Sequence, residues 1–384
     1  MSENQLSCLW NEPLLDPQYR AAVSLHSHTN HSKESLYFIP AFARRHPLLH
    51  WALQRQCRRS TVPVDLDRAY WTPPLTAKAA YGVEKRQIED KLGLAGLVSL
   101  TDHDTIEAPT VLRVVPETSH IPFSLEWSVP FEGAMFHLGV HNLPPARAQE
   151  IVAQLAAYTA APAPQDLSGL LSMLDENPGV LIVLNHPLWD LCRTGMEPHR
   201  KSLEHFLHNH TEFLHAFELN GTRSRAENNS VMELAGQWQR LIISGGDRHG
   251  CEPSAALNLT RAESFCEFVH EIRVEQRSHV LFMPQYAEPL CVRTIQTLLD
   301  IISDYPEYSE GCRRWDERVF HPDPVTLLDR PVSSYWNAPP AFLNRIFFGI
   351  RLLDNASVRR ALRQMFKNKV DLRLPSETVY EASL

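Results

Sequence analysis

From about residue 20 to residue 285 the chain repeats one pattern, a short apolar run ending in His, Asp, Glu or Asn and then a stretch with helical periodicity. Apolar runs of about four to eight residues are the length of buried strands, and their alternation with helical stretches specifies βα units around a mostly parallel sheet or barrel. The runs are AAVSLHSH (21 to 28), LAGLVSLTDHD (94 to 104), HIPFSLEWSV (120 to 129), AMFHLGVH (134 to 141), GVLIVLNHP (179 to 187), LHAFELN (214 to 220), RLIISGGDRH (240 to 249) and HVLFMPQY (279 to 286). Helices are expected between them at 84–92, 146–159, 167–177, 200–213, 224–238 and 261–277. In parallel α/β folds the loops at the carboxyl ends of the strands converge on one face, while strand interiors are committed to packing. Polar residues closing so many runs imply one shared site.

The 384 residues allow one closed α/β barrel plus an appendage. Three parts are expected: an N-terminal segment (1–19), the α/β unit (20–286) and a helical C-terminal extension (287–384), where apolar positions recur at three- and four-residue steps. Residues 35 to 64 hold no acid and five arginines, Arg44, Arg45, Arg55, Arg58 and Arg59, and read as part of an insertion spanning about 35–84. A hydrophobic share of 43% with 21% charged residues excludes disorder, collagen and coiled coil. The net charge of −8 offers no general nucleic-acid footprint. No apolar run approaches the roughly 18 residues of a membrane span and no signal-like N-terminus precedes the runs, so a cytoplasmic protein without a membrane partner is expected. Seven scattered cysteines without a C-x-x-C pair indicate neither a disulfide framework nor a thiolate zinc site.

The compositional anomaly is histidine, with 19 copies. His26 and His28 are two apart, so in a strand both imidazoles face one side and can meet one metal ion. Asp102 and Asp104 flank His103, and a carboxylate beside a ligating imidazole can fix its tautomer. Glu126, His137 and His186 sit among apolar strand residues and must be exposed at a strand end, paired or bound to metal, because unpaired burial costs several kcal/mol. Asp247 and His249 are again two apart, in a glycine-rich turn. Each signal alone has a bland counterpart in packing histidines or a solvated acidic turn. Together they fall in one βα series and use side chains that bind first-row metals.

This order of motifs resembles the PHP (polymerase and histidinol phosphatase) domain family. The resemblance rests on Leu25-His26-Ser27-His28, Thr101-Asp102-His103, Glu126, His137, His186-Pro187 and Asp247-Arg248-His249, and spans about residues 20 to 285. It implies a distorted (β/α)7 barrel holding two or three divalent metal ions at the carboxyl ends of its strands. Carried over by position, it implies one ion on His26, His28, Glu126 and Asp247, and a second on Glu126, His137 and His186. A third would take His103, His249 and Glu34, with His31 as the rival for the last place. Two departures stand out. Ser24 occupies a position where many members carry an aspartate, and the separation of His28 from His103 is lengthened by the arginine-bearing insertion.

A ligand set of His and carboxylate suits zinc, manganese or iron. Metal pairs about 3.5–4 Å apart can share a hydroxide and clamp the oxygens of an in-line displacement at phosphorus. The expected function is therefore a metal-dependent phosphoesterase acting on a small phosphorylated metabolite or nucleotide, with Asp102, His103, Asp247 and His249 as candidate catalytic residues. Arginine holds phosphate in bidentate geometry, which makes Arg193, Arg223 and Arg225 candidate substrate contacts, with Asn220 beside them. Arg248, between two ligands, is expected to point the other way. The alternatives are a nuclease or phosphodiesterase contacting nucleic acid through Arg44 to Arg59, which the net charge disfavours, and a catalytically silent, metal-stabilised module docking through its helical tail.

Overall fold

The computed structural model describes residues 3–11, 15–36, 68–323, 328–335, 341–367 and 370–374, with a few isolated positions between them. Most of the arginine-bearing insertion, including Arg45, Arg58 and Arg59, lies outside the described residues.

The strands are β1 (Glu3–Cys8), β2 (Ala21–Ser24), β3 (Glu34–Ser35), β4 (Tyr70–Trp71), β5 (Ala95–Val98), β6 (Phe123–Phe131), β7 (Ala134–Leu143), β8 (Leu181–Asn185), β9 (Ala216–Asn220), β10 (Leu241–Gly245), β11 (Ala256–Thr260), β12 (Arg277–Phe282), β13 (Val319–Pro322) and β14 (Asp329–Pro331). The helices are α1 (Ala77–Leu92), α2 (Glu107–Leu112), α3 (Ala148–Ala160), α4 (Pro164–Asp175), α5 (Met196–His210), α6 (Arg225–Gln237), α7 (Phe265–Arg273), α8 (Leu290–Ile302), α9 (Ala341–Leu353) and α10 (Ala356–Met365). None of the described helices is long and apolar enough to cross a membrane.

The chain is a mixed α/β protein. Its ladders form one five-stranded sheet in the order β1-β12-β11-β2-β5 and a second in the order β10-β9-β8-β7-β6. Among the described residues these are two sheets rather than the continuous closed barrel expected from the sequence. Parallel pairing joins β1 to β12, β2 to β5, and β8 to β9 to β10. Two strands break the parallel rule: β7 runs antiparallel to both β6, with which it forms a long hairpin, and β8, and β11 runs antiparallel to both β12 and β2. The sheets meet where His103, beyond β5, bridges to Glu126 on β6, with Glu126 N–H donating to Asp102 O (3.1 Å) and Asp104 N–H to Glu126 O (2.9 Å). On the opposite side the Ile242 amide of β10 donates to Asn4 Oδ1 of β1 (3.0 Å).

Strands β2, β8, β9, β10 and β11 are buried throughout, as continuous apolar runs in the interior of an α/β fold must be, whereas β1 and β5 are largely half-exposed. Trp127 is fully buried, and its indole N–H reaches Leu155 O (3.1 Å) on α3, which satisfies the one polar atom that burial would otherwise orphan. Helix α1 starts where Thr76 Oγ1 accepts the Ala79 amide and stops at Gly93, whose φ of 66° a side chain would resist. It carries Glu84 into the interior, where the carboxylate accepts from Ser24 Oγ (2.9 Å), Ser27 Oγ (3.2 Å) and Arg248 Nε (2.9 Å). Arg248 thus points away from the site, as its position between two candidate ligands implies.

The C-terminal part is not purely helical. Alongside α8, α9 and α10 it supplies β13 and β14, which join β4 and β3 in a small sheet of order β14-β13-β4-β3. Glu34 on β3 is therefore tied through Trp71 on β4 to Val319 on β13.

Candidate metal centre

His26 and His28 follow β2, and the turn between the strand and His28 places His26 at φ 61°, in the left-handed region. His186, directly after β8, has φ 28°, and Asp247, after β10, has φ 46°. Side-chain-bearing residues avoid this region at a cost of about 1–3 kcal/mol each, and three of them at one place mark a site whose geometry is imposed by its surroundings. Two further candidate ligands, Glu126 and His137, sit mid-strand in β6 and β7 rather than at strand ends, because the hairpin continues past the edge of the sheet.

Glu126 is at the middle of the cluster. Its Oε1 lies 3.0 Å from His26 Nε2, 3.1 Å from His137 Nδ1 and 3.1 Å from His186 Nε2, and its Oε2 lies 3.2 Å from His103 Nδ1 and 3.4 Å from His28 Nε2. Asp247 Oδ1 is 3.7 Å from both His26 Nε2 and His28 Nε2, and 3.4 Å from His249 Nδ1. Glu34 reaches His249 Nε2 (3.1 Å), His103 Nε2 (3.3 Å) and His28 Nδ1 (3.6 Å). Four groups of donor atoms converge: His28 with Glu34, His103 and His249; His26 with Glu126 and His186; His26 with His28 and Asp247; and His103 with Glu126 and His137. These nine residues are those named from the motifs, although the grouping differs. His186 stands with His26 and His137 with His103, each pair about Glu126. Glu34 enters the cluster, whereas His31 turns outward to Glu107 (2.9 Å).

The donor set fits divalent cations. His26 Nε2, His28 Nε2, His103 Nδ1 and His137 Nδ1 are buried without a hydrogen-bond partner, and buried nitrogens in that condition are costly unless another group engages them. Their protonation is pulled in opposite directions. Burial and the neighbouring His249 push His28 down to about 3. Burial would also lower His103, yet Glu34 and Glu126 hold it up at about 10. Burial would raise the Glu126 carboxyl, but His26, His137 and His103 keep it well below the usual carboxylate range.

Partners behind the cluster fix the rings. His26 Nδ1 donates to Glu218 on β9, which also accepts the His186 amide (2.8 Å). Asn185 Nδ2 donates to Glu126 Oε1 (3.0 Å), while Asn220 Nδ2 (3.2 Å) and Thr222 Oγ1 (3.0 Å) donate to Asp247 Oδ2. Glu218 was accessible to sequence reasoning, since it stands in LHAFELN by the same strand-end rule that singled out Asn220. Glu84 carried no such signal, because it lies on a helix.

Several expected roles change. Asp102 is buried with its oxygens taken by the Thr29 amide (2.5 Å) and Thr29 Oγ1 (2.8 Å), so it anchors the turn after His28 instead of facing reactants. Asn220 is spent on Glu218 and Asp247, which makes it a positioning residue. Arg193 is exposed, and Arg225 turns to Asp371 (3.6 Å) and Trp10, so neither reaches the cluster. Arg223 does. Its guanidinium lies 3.4 Å from Asp247 Oδ2 and 3.5 Å above the Trp189 ring. A cavity of about 360 Å³ opens here, lined among others by Glu34, Asp247 and His249 and by Trp71, Trp189 and Arg223. Arg293 of α8 also lines it and donates to the Gly221 and Arg223 carbonyls, holding the loop that carries Arg223.

No protein-family model matches the chain, and no curated protein sequence matches it. Among solved structures it is similar to an amidohydrolase from Chromobacterium violaceum with bound sulfate and no metal, at 16% identity and a TM-score of 0.33 over 60% of this chain and 88% of that one. It is also similar to a protein from Bifidobacterium adolescentis named as a candidate metal-dependent phosphoesterase, at 14% identity and a TM-score of 0.32 over 52% of this chain and 91% of that one.

Proposed function

We propose that the protein is a metal-dependent phosphoesterase that hydrolyses a phosphate ester of a small metabolite or nucleotide. One observation carries the reading: nine His, Asp and Glu side chains converge with four buried imidazole nitrogens left without hydrogen bonds, and three of the nine, Glu34, Asp247 and His249, line a cavity of small-molecule size. The residues that would hold two or three divalent ions are His26, His28, Glu34, His103, Glu126, His137, His186, Asp247 and His249, and zinc, manganese or iron suit this donor set. Such ions, when bound, supply an activated water and polarise the phosphoryl oxygens.

The chain's own residues do the rest. Glu218 fixes the His26 ring through Nδ1, and Asn220 with Thr222 hold one Asp247 oxygen so that the other faces His26 and His28. Arg223, kept extended by stacking on Trp189, presents its remaining N–H groups to an incoming phosphate and binds it by charge-assisted hydrogen bonds.

The test is hydrolysis of a panel of phosphate mono- and diesters by wild type, His137→Ala and Asp247→Ala. Both variants are expected to lose hydrolysis while keeping the wild-type circular dichroism. Full activity in either one would sink the assignment, and hydrolysis of oligonucleotides in preference to small esters would replace it with the nuclease reading.

A further inference from the structure

Helix α9 has the sequence AFLNRIFFGIRLL, apolar on almost every side. A helix of that kind is normally covered all round, by a core or by lipid. Among the described residues it is covered on one side: α9 and α10 pack on α8 and on each other, and Phe347 sets its ring edge against Trp315 (4.8 Å). On the outer side Ile346, Phe348, Leu352 and Leu353 are 44%, 62%, 53% and 40% exposed, and on α10 and just beyond it Met365 and Phe366 are 72% and 52% exposed. Six large apolar side chains are thus exposed on two adjoining helices, and apolar surface of this extent marks a binding face.

Charge identifies what covers it. Residues 341–367 carry Arg345, Arg351, Arg359, Arg360, Arg363 and Lys367 against a single acid, Asp354, in a chain of net charge −8. Arg359 and Arg363 are paired with Asp354 (3.0 Å) and Glu288 (2.7 Å), while Arg345, Arg360 and Lys367 are exposed on the same two helices and just beyond them. A second copy docking through the same face about a two-fold axis would set cations against cations. Nucleic acid would satisfy the cations but leave Ile346, Leu352, Leu353 and Met365 against phosphate.

We propose that the α9–α10 hairpin is a peripheral docking face for an anionic lipid surface. The apolar tips enter the boundary between headgroups and acyl chains, and the long basic side chains reach up to the phosphates. This is distinct from spanning the bilayer and does not depend on the metal centre.

The experiment is co-sedimentation of the full chain with vesicles of phosphatidylcholine alone and of phosphatidylcholine with phosphatidylglycerol. Binding is expected to be about tenfold or more stronger to the anionic vesicles, and to weaken as salt rises. The exposed pair Phe348→Ser and Leu352→Ser, and separately Arg345→Glu with Arg360→Glu, should each weaken it about tenfold with circular dichroism and metal content unchanged. Equal failure to bind either vesicle overturns the proposal. So does a wild-type dimer that the Phe348 and Leu352 substitutions dissociate, or binding to duplex DNA in place of lipid.

Discussion

Glu218 accepts a hydrogen bond from His26 Nδ1, and by doing so sets the opposite nitrogen, Nε2, 3.0 Å from Glu126 Oε1. The pair lies on strands of different sheets, β9 for the acid and the end of β2 for the imidazole, so two sheets that share no ladder are joined through the cluster itself. A carboxylate in this place fixes the tautomer and raises the basicity of the imidazole facing a metal. Glu218→Gln should lower affinity for zinc or manganese about 10–100-fold in competition with a chelator while the fold holds. Unchanged affinity would remove Glu218 from the site.

On the proposed function Arg223, which also touches Asp247 Oδ2 (3.4 Å), binds the substrate phosphate. Replacing its planar fork by the point charge of Arg223→Lys should raise KM for a phosphate ester about tenfold with little change in metal content. A variant with wild-type KM would show that the phosphate is held elsewhere.

The Arg248–Glu84 pair is buried, with its atoms 2.9 Å apart and its side chains 4% and 0% exposed. Removing one partner of such a pair leaves an uncompensated charge and costs about 3–5 kcal/mol. Glu84→Gln should therefore lower stability in urea by about that much, and Glu84→Gln with Arg248→Met should recover part of it. Additive losses would contradict a coupled pair.

His215 gives a pH dependence remote from the metal centre. Its Nδ1 accepts the Ile182 amide (2.8 Å) and its Nε2 donates to Asp175 (3.0 Å), which requires the neutral ring. Burial first, and then Arg273, push its pKa down to about 4. An unfolded histidine titrates near 6.5, about where the unfolded chain begins to take up a proton that the folded chain refuses. This contribution to stability is complete above about 6.5 and is lost as pH falls towards 4. In His215→Asn, whose Oδ1 can still accept the Ile182 amide, Tm should fall less over that interval than in wild type. Parallel profiles would contradict the assignment.

The site was readable from the sequence where a ligand closes an apolar run, as His28, His186 and Asp247 do. Glu126 and His137 were found by their apolar surroundings, though the reading placed them at strand ends and not within a hairpin. Pairing direction is not encoded in a run of apolar residues, so the antiparallel β6–β7 hairpin and β11 went unseen. The two-residue strands β3 and β4 are too short to show alternation, and with them the tie from Glu34 to β13 was hidden. Ser24 looked like a missing partner, whereas the structure supplies a carboxylate from α1, because Glu84 reaches it across 60 residues of chain.

Elemental analysis of the purified protein, reporting zinc, manganese and iron per chain, decides whether the nine side chains hold metal. About two to three equivalents of divalent metal per chain are expected, lost on chelation and restored on addition at neutral pH. Fewer than about one equivalent after reconstitution would contradict the metal assignment, since nine convergent donors would then have no cation to hold.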